Sequence, residues 1–547
     1  MVKTGENLRK LNWDFCFRII FLLFFVVSSV YQIRYGANCD VAMQTSWSSR
    51  TARGDFPLVD TWGPFCISSW FIGFLYRIFY LFSPYFTYGF LILKILGVLF
   101  QCVVAIQFYQ YIKNNTSERQ AFWGSAIFVI FVPYYMYIFV SHYNISYWLT
   151  LLLAMSLMQL DARTERCNIL LITIELTVMI LSMPTMMIMV PITLAMIVIF
   201  EKKHKKVAWG IIISMICIFF LGIVILYLHG GSFTDIFYLL EGGDAHGAGL
   251  LSQIIKRFKI LVPITLITVC YTLFAKKIFR TKYEFLILIC LLSVFSIAVW
   301  VYTGECSQLM RAVFFSDIIL GIWSCLHYKD VHHSKAYIYM CMYGCALGVI
   351  CALSTNTGSM VTSIGMILPF VAYITLSNIF NKSRNAWFAI GIFIALIFIQ
   401  RICICDGWVN CTGISCTEKI EAGILKGIYV RPEHAEKYNR IWRVMDKNVK
   451  SNDMLLLTGD ERTLYYGYLM TEARNAGNTV DDMENGFKTY EAYYLRNEQK
   501  IPNIIIMPGN EFVSEIQEAD SEFIRWVKDN YSLKNIDEGY LILKKTD

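Results

Sequence analysis

The chain has 547 residues, of which 56% are hydrophobic and only 16% are charged, and its formal net charge at pH 7 is +7. Soluble globular proteins carry about 25% charged residues, so this composition excludes an ordinary soluble enzyme. The net charge does not indicate a nucleic-acid-binding protein, because the Lys and Arg residues stand in short clusters between apolar runs, as membrane topology signals do.

An apolar run of about 20 residues can cross the hydrocarbon core of a bilayer as a helix. The sequence predicts about thirteen such transmembrane helices, near residues 15–33, 85–112, 121–140, 145–160, 167–182, 184–200, 207–228, 258–275, 283–302, 308–327, 336–353, 358–379 and 386–404. Arg77 interrupts the apolar stretch 66–82, which we interpret as an interfacial or re-entrant helix. The short spans around Pro184 form either a tight hairpin or one broken helix.

The basic clusters predict the orientation of these spans. If the N-terminus is cytoplasmic, the inner loops carry Lys and Arg, whereas the short outer loops near 141–144, 182–185, 302–307 and 354–358 carry none. This pattern is typical of a multi-pass plasma membrane protein. Because the number of spans is odd, we expect the chain after about Cys405 to be extracytoplasmic.

We therefore predict a transmembrane domain over residues 1–404 and an extracytoplasmic domain over 405–547. The first has two long outer loops, 34–84 and 229–257. In the second, short apolar runs are typical of strands and amphipathic runs are typical of helices. The strands are predicted at 455–459, 503–509 and 539–545, and the helices at 461–474 and 521–530. This alternation favours a small α/β fold.

Four cysteines, Cys403, Cys405, Cys411 and Cys416, cluster where the last predicted span ends. The cluster has no CxxC pair and no nearby His, so we do not predict a zinc site there. Two alternatives stay open: a disulfide such as Cys411–Cys416, since the outer side can be oxidising, and a set of free thiols.

The first outer loop contains the charged residues most relevant to chemistry. They are Asp40, Asp55 and Asp60, together with Arg34, Arg50 and Arg53. The stretch DVAMQTSWSSRTARG predicts one amphipathic helix, with Asp40 as its N-cap and Gly54 at its end. Motifs of soluble enzymes, such as GxxxxGK[ST], HExxH and GxSxG, are absent from the sequence, which argues against an ATP-driven pump unless a partner supplies the ATPase.

A first span that runs outward, followed by an acidic residue early in a long helical outer loop, resembles the GT-C superfamily of membrane glycosyltransferases. This superfamily includes oligosaccharyltransferases, protein O-mannosyltransferases and lipid A aminoarabinose transferases. Two further stretches resemble bacterial members. STNTGSMVTSIGMILPF (354–370) resembles their small-polar outer loop, and EAGILKGIYVRPEHAEKYNRI (421–441) resembles the entry to their outer soluble domain. The resemblance covers the topology throughout, but its motifs only at 34–65, 354–370 and 421–441.

The resemblance implies an inverting transfer of a sugar from a polyprenyl-phosphate donor to a cell-envelope glycan, lipid or protein acceptor. Such a reaction needs a base for the acceptor and a cation for the departing phosphate. Asp40 is the candidate base, and its alternative role is the helix N-cap. Asp60 is the second candidate, and its alternative role is a turn residue before Trp62. Members often carry a second acidic residue where this chain has Val41, and this departure argues against a metal requirement. No cofactor is therefore predicted with certainty, and a divalent metal ion stays an open alternative.

Other polar residues on the outer side are candidates for binding the substrate. They are Arg50 and Arg53 in the first loop, Glu241, Asp244 and His246 in the second, Lys256 and Arg257 before a span, and Arg311 just inside one. As alternatives, a Gly-rich loop is often only mobile, and outer Lys and Arg residues anchor spans at the interface. Lys94, Glu175 and Asp317 lie nearer mid-membrane, where we expect a structural pair such as Lys94–Glu175 or Lys94–Asp317.

Three other functions compete with this interpretation. One is a transporter or flippase for a lipid-linked sugar, which internal pseudo-symmetry would favour. The second is a polysaccharide polymerase or ligase, and the third is a catalytically inactive relative that binds envelope glycan. We see no repeat in the sequence, and the concentration of polar loops on one side favours a reaction at the membrane surface.

Overall fold

The computed structural model describes residues 4–60, 69–81, 88–133, 138–233, 250–278, 280–331, 334–354, 358–377, 384–407, 409–458, 474–475, 493–509 and 522–546. The helices of the N-terminal part are α1 (Thr4–Arg34), α2 (Cys39–Ala52), α3 (Ser69–Tyr80), α4 (Gly89–Lys113), α5 (Glu118–Ile130), α6 (His142–Met158), α7 (Glu165–Ser182), α8 (Met189–Phe200), α9 (Lys205–Leu228), α10 (Leu250–Ile278), α11 (Arg280–Thr303), α12 (Cys306–Leu326), α13 (Lys335–Leu353), α14 (Ser363–Leu376) and α15 (Arg384–Ile402).

The N-terminal part is a bundle of apolar helices. Within the described ranges, nine helices are long and apolar enough to cross a membrane; they lie in Asp14–Arg34, Gly89–Lys113, Lys202–Leu228, Ile254–Ala275, Tyr283–Thr303, Cys306–Leu326, Lys335–Leu353, Ser359–Leu376 and Asn385–Ile402. The other four predicted spans fold as the helices α5 to α8, of 12 to 18 residues each. The prediction of a polytopic helical membrane protein is confirmed.

The stretch 66–82 and the region around Pro184, for which the sequence left alternatives open, both fold as short helical elements. The stretch interpreted as an interfacial or re-entrant helix contains α3, which has 12 residues and packs against α2. At Pro184, α7 ends at Ser182, a 3₁₀ turn covers Pro184–Ile188, and α8 then begins at Met189. The chain therefore breaks at the proline, because proline cannot donate a hydrogen bond within a helix.

The end of α5 shows how the bundle satisfies an interrupted helix. The Gln101 side chain donates hydrogen bonds to the carbonyls of Phe128, Val129 and Phe131, at 3.1, 3.0 and 2.8 Å. One guanidinium nitrogen of Arg401 donates to the Ile130 carbonyl at 2.9 Å. These donors replace the water that would otherwise bind the last carbonyls of a helix.

The C-terminal part contains a mixed β-sheet, and it confirms the predicted small α/β region. Its elements are β1 (Cys403–Asp406), β2 (Val409–Thr412), β3 (Glu418–Lys419), β4 (Tyr429–Val430), α16 (Pro432–Asn448), β5 (Met454–Leu457), β6 (Arg474–Asn475), β7 (Ile504–Pro508), α17 (Glu522–Asn530), β8 (Tyr531–Asp537) and β9 (Tyr540–Lys545). The sheet order is β6-β5-β7-β9-β8, with β5 parallel to β6 and β7, and β9 antiparallel to β7 and β8. The helix predicted at 461–474 lies outside the described residues, except that Arg474 belongs to β6.

Lys94 shows that the prediction of a pair with Glu175 or Asp317 is wrong. The Lys94 side chain is fully buried and donates hydrogen bonds to the carbonyls of Gln32, Tyr35 and Gly36, at 3.1, 2.8 and 2.6 Å. These carbonyls lie at the end of α1, where the helix dipole is negative and the backbone acceptors lack partners. The helix end therefore replaces the expected carboxylate.

The segment after α1 joins the bundle to the C-terminal part. Tyr35 forms a backbone bridge with Tyr429, and Asn38 forms one with Gly407. The Asn38 side-chain amide donates to the Cys405 thiol at 3.0 Å. Cys411 and Cys416 are free thiols whose Sγ atoms lie 3.8 Å apart, so the second of the two cysteine alternatives describes this structure.

Candidate functional site

The N-cap of the helix that carries Asp40 lies two residues earlier in the chain than the sequence predicted. The Asn38 side-chain oxygen accepts a hydrogen bond from the Val41 amide at 3.2 Å, and the Asn38 carbonyl accepts one from the Ala42 amide. Asn38 is therefore the N-cap, and the prediction of Asp40 as the cap is wrong. Asp40 lies in the first turn of α2, where the helix dipole favours a negative charge. Its side chain lies outside the described part of the structure.

The predicted helix is present, and its polar side is buried. Five of its polar residues are between 0 and 3% exposed: Gln44, Thr45, Ser46, Ser48 and Ser49. α3 packs against α2 from one direction. The helix ends at Ala52, and Gly54 follows with φ of +113°, which is the helix end that the sequence predicted.

We use "outward" for the end of the bundle at which α1 ends and α2 lies. There, Nδ1 of the buried His142, the first residue of α6, lies 3.3 Å from Oε1 of Gln44 on α2. Within the described residues, the Thr45 and Ser46 hydroxyls of α2 and the Ser146 hydroxyl of α6 are buried and make no hydrogen bond. Such hydroxyls need a water or a ligand, because burying an unpaired polar group is costly.

A second set of unpaired hydroxyls lies at the start of α14. Ser359 and Thr362 belong to the 3₁₀ turn that precedes this helix, and Ser363 is its first residue. All three hydroxyls are buried and have no hydrogen-bond partner in the described structure. The sequence singled out this stretch through STNTGSMVTSIGMILPF, and α14 packs against both α6 and α13.

Arg257 is the predicted phosphate ligand that lies at the same outward end. Its side chain is buried, and its Nε donates to the carbonyl of Ala352 at 3.0 Å. Ala352 belongs to the last turn of α13, so the arginine is held at the negative end of a helix. The neighbouring Lys256 is exposed.

Of four further predicted residues, one is exposed and three lie outside the described part of the chain. Arg311, a substrate-binding candidate that we placed just inside a span, is exposed on the surface of α12. The position faces out of the bundle, so the side chain needs no buried partner. Glu241, Asp244 and His246 lie outside the described residues.

Arg50 and Asp60 belong to a charged group that we call the docking cluster: Arg50, Asp55, Asp60, Tyr493 and Lys500. Arg50 Nε donates to Asp55 at 2.8 Å, and a second guanidinium nitrogen donates to the Asp60 carbonyl at 2.7 Å. Lys500 contacts both carboxylates, and the Tyr493 hydroxyl donates to the Asp60 carbonyl at 2.7 Å. The cluster thus fastens the first outer loop to the C-terminal part.

The electrostatics of the docking cluster favour charged, paired side chains. Burial alone would lower the pKa of the Arg50 guanidinium, but the adjacent Asp55 carboxylate and Tyr493 hydroxyl together outweigh burial and raise that pKa above its ordinary value. One carboxylate oxygen of Asp60 accepts from the Phe56 amide at 2.7 Å, which closes the turn that the sequence predicted. Arg53 is half-buried just beyond the end of α2.

The sequence did not identify Gln44, His142, Tyr493 or Lys500 as site residues. A histidine at the start of a predicted span was a usable signal for His142, whereas nothing in the spacing links Lys500 to a loop some 440 positions earlier. Among the described residues, no group of three or more His, Cys, Asp or Glu side chains is arranged to hold a metal ion.

Comparison with solved structures finds a likeness that extends over the whole chain. The chain is similar to the crystal structure of ArnT from Cupriavidus metallidurans in the apo state, with 11% sequence identity, 98% of both chains covered and a TM-score of 0.37. A likeness of this size carries no argument about activity. No model of a known protein family matches the chain, and no curated protein matches it significantly.

Proposed function

We propose that the protein is a GT-C-like membrane glycosyltransferase, which moves a sugar from a polyprenyl-phosphate donor to an extracytoplasmic acceptor of the cell envelope with inversion at the anomeric carbon. Asp40 is the general base, and Arg257 binds the donor phosphate. The proposal rests on the residue pattern of the first outer loop together with the buried polar surroundings of α2.

The observation that carries the proposal is the capping of α2 by Asn38. The structural explanation for an acidic residue at position 40 was the N-cap, and that role belongs to another side chain. Asp40 stands in the first turn of a helix that also carries the buried, unpaired hydroxyls of Thr45 and Ser46, and a carboxylate on such a helix suits the role of a base for a polar acceptor.

The chemistry needs little beyond a base and a cation. The acceptor hydroxyl or amine attacks the anomeric carbon, and its proton passes to the Asp40 carboxylate. The bond between the anomeric carbon and the phosphate oxygen breaks, and the electron pair leaves with the polyprenyl phosphate. A buried guanidinium such as Arg257 stabilises the negative charge on that leaving group.

The test is sugar transfer by the purified protein in detergent, with a panel of polyprenyl-phosphate sugars and membrane extract as the acceptor. We expect Asp40→Asn to lower kcat by roughly 10²-fold or more, because a positioned base contributes about that much. Glu305→Gln is the matched control, since Glu305 is an exposed carboxylate before α12. Equal rates for wild type and Asp40→Asn would assign the base elsewhere.

Arg257 has its own matched control on the same helix. Arg257→Gln removes the buried cation, whereas Lys259→Gln removes an exposed one two residues later. We expect only the first change to raise KM for the lipid-linked donor and lower kcat. Identical kinetics for the two variants would contradict the phosphate role of Arg257.

A transporter or flippase for a lipid-linked sugar is the second candidate, and one observation favours it. Asp317 is fully buried in the middle of α12, and neither carboxylate oxygen has a hydrogen-bond partner among the described residues. Isolated carboxyl groups within spans mark substrate or proton pathways in transporters. Translocation of a fluorescent polyprenyl-phosphate sugar in proteoliposomes, abolished by Asp317→Asn while no transfer is detected, would favour this candidate.

A further inference from the structure

A polar pocket lies at the end of the bundle opposite to α2. Its volume is about 610 Å³, which lies within the usual range for small-molecule sites. It is lined by the last turns of α4, α6 and α14 and by the first turns of α5 and α13. We call it the inner pocket, because the basic clusters predict that this side is cytoplasmic.

A buried carboxylate forms one wall of the inner pocket. The Glu201 side chain is 7% exposed, and its Oε1 accepts hydrogen bonds from the Lys335 ammonium at 2.9 Å and from the Tyr339 hydroxyl. The Lys335 side chain is 56% exposed, so it reaches the carboxylate from the water side. A cation held in this way can exchange its carboxylate for another anion.

A second carboxylate lines the same pocket and is also paired. Asp161 Oδ1 lies 2.6 Å from the Lys203 ammonium and 2.7 Å from Nε2 of His204. Hydrogen bonds from Lys203 and His204 hold the pKa of Asp161 below its ordinary value. The pocket therefore presents negative and positive groups side by side.

The N-terminus of α13 adds partial positive charge to the pocket, whereas that of α5 is already capped by Ser117 and Gln120. α5 begins after Ser117 and α13 begins after Ser334, and both serines line the pocket. The Ser334 side chain makes no capping hydrogen bond, so it leaves the first amides of α13 to other acceptors. Helix N-termini next to a lysine favour a phosphate group.

We propose that the inner pocket binds a zwitterion that carries a phosphate diester and a primary ammonium a few bonds apart, as in a phosphoethanolamine head group. The ligand ammonium takes the place of Lys335 at Glu201. The freed Lys335 and the start of α13 bind the ligand phosphate. The exchange conserves charge, because each ion pair that is broken is replaced by another.

The test measures the acetylation rate of Lys335 in the full-length protein by peptide mass spectrometry. Lys329 is the internal reference, since it is exposed on the same side and does not line the pocket. The soluble probes are glycerophosphoethanolamine, glycerol phosphate and ethanolamine at equal concentrations. At ten times its Kd, glycerophosphoethanolamine should slow acetylation of Lys335 about tenfold and leave Lys329 unchanged.

Two further arms separate the sources of the head group. Protection in nanodiscs of phosphatidylethanolamine, but not of phosphatidylglycerol, identifies a membrane lipid as the ligand. Protection by soluble glycerophosphoethanolamine in phosphatidylglycerol nanodiscs identifies a free metabolite of the same chemistry. Both outcomes support the zwitterion site.

The proposal is overturned if glycerol phosphate protects Lys335 as well as glycerophosphoethanolamine does, because the site would then bind only an anion. It is also overturned if no probe or lipid protects Lys335. Glu201→Gln, which keeps the size and an acceptor for Tyr339, should remove the advantage of the zwitterion over glycerol phosphate. The readout does not depend on sugar transfer.

Discussion

In the docking cluster the Arg50 guanidinium pairs with the carboxylate of Asp55, whereas inside the bundle the Lys94 ammonium donates hydrogen bonds to three backbone carbonyls. Arg401, also fully buried, follows the second pattern and donates to the hydroxyls of Ser28 and Ser29 and to the Ile130 carbonyl.

The difference follows from what surrounds each charge. In the docking cluster, the first outer loop packs against the C-terminal part, and both contribute ionised side chains that remain charged when they pair. In the bundle, a second buried ion adds a further desolvation cost, whereas the unpaired carbonyls of a helix end already need donors. Among the described residues, Lys94 and Arg401 thus donate to backbone carbonyls at helix ends, whereas Arg50 joins the first outer loop to the C-terminal part.

The largest effect is expected for Lys94→Met. The change leaves two buried carbonyls and one partly buried carbonyl at the end of α1 without their donor, so we expect the free energy of unfolding to fall by about 3 kcal/mol. Thermal unfolding in detergent would measure it. The control is Lys113→Met, at the exposed end of α4, the helix that also carries Lys94, and it should leave the free energy of unfolding almost unchanged. Equal stability of the two variants would refute the capping role.

A smaller effect is expected for Arg50→Met. The change removes one of the two cationic partners of Asp55, but Lys500 still neutralises that carboxylate. We therefore expect the free energy of unfolding to fall by about 2 kcal/mol. A double-mutant cycle with Asp55→Asn should give a coupling free energy of about 1 kcal/mol or more. If the losses of stability from the two single changes simply add, the Arg50–Asp55 pair does not stabilise the docking cluster.

Asp60→Asn separates the two candidate bases. The asparagine keeps an oxygen for the Phe56 amide and loses only the attraction to Lys500 at 3.8 Å, so we expect less than about 1 kcal/mol of destabilisation. Sugar transfer should stay within about twofold of wild type, in contrast to Asp40→Asn. A loss of transfer with normal stability would instead make Asp60 the base.

The smallest effect concerns an exposed ion pair in the C-terminal part. Arg443 donates to both carboxylate oxygens of Glu538, at 2.9 and 2.7 Å, and these hydrogen bonds lower the pKa of Glu538. Because the pKa is lowered on folding, the stabilisation exists above the ordinary Glu pKa of about 4.3 and is lost as the pH falls through the folded pKa. Glu538→Gln should cost about 0.5 kcal/mol at pH 7, and less in high salt. An effect as large as that of Arg50→Met would contradict the contrast between buried and exposed pairs.

Much of the secondary structure could be predicted because it depends on local pattern. Apolar runs of sufficient length predicted α1, α4 and α9, and the short runs LLLTG and NIIIMPG predicted β5 and β7. β8 was not predicted, because exposed residues dominate it and its position depends on pairing with β9. α16 was not predicted either, although its buried residues, such as Tyr438, Ile441 and Met445, recur at helical spacing.

The amino-acid sequence by itself determined the membrane class, the succession of helices and the end of α2 at Gly54, since hydrophobic length and glycine geometry act over a few residues. Only the tertiary structure decided that Lys94 completes the end of α1 and that Asp60 belongs to the docking cluster. These contacts join residues from separate segments, and several donors and acceptors could have served equally well. Which of them meet is fixed by how the helices and the C-terminal part pack together.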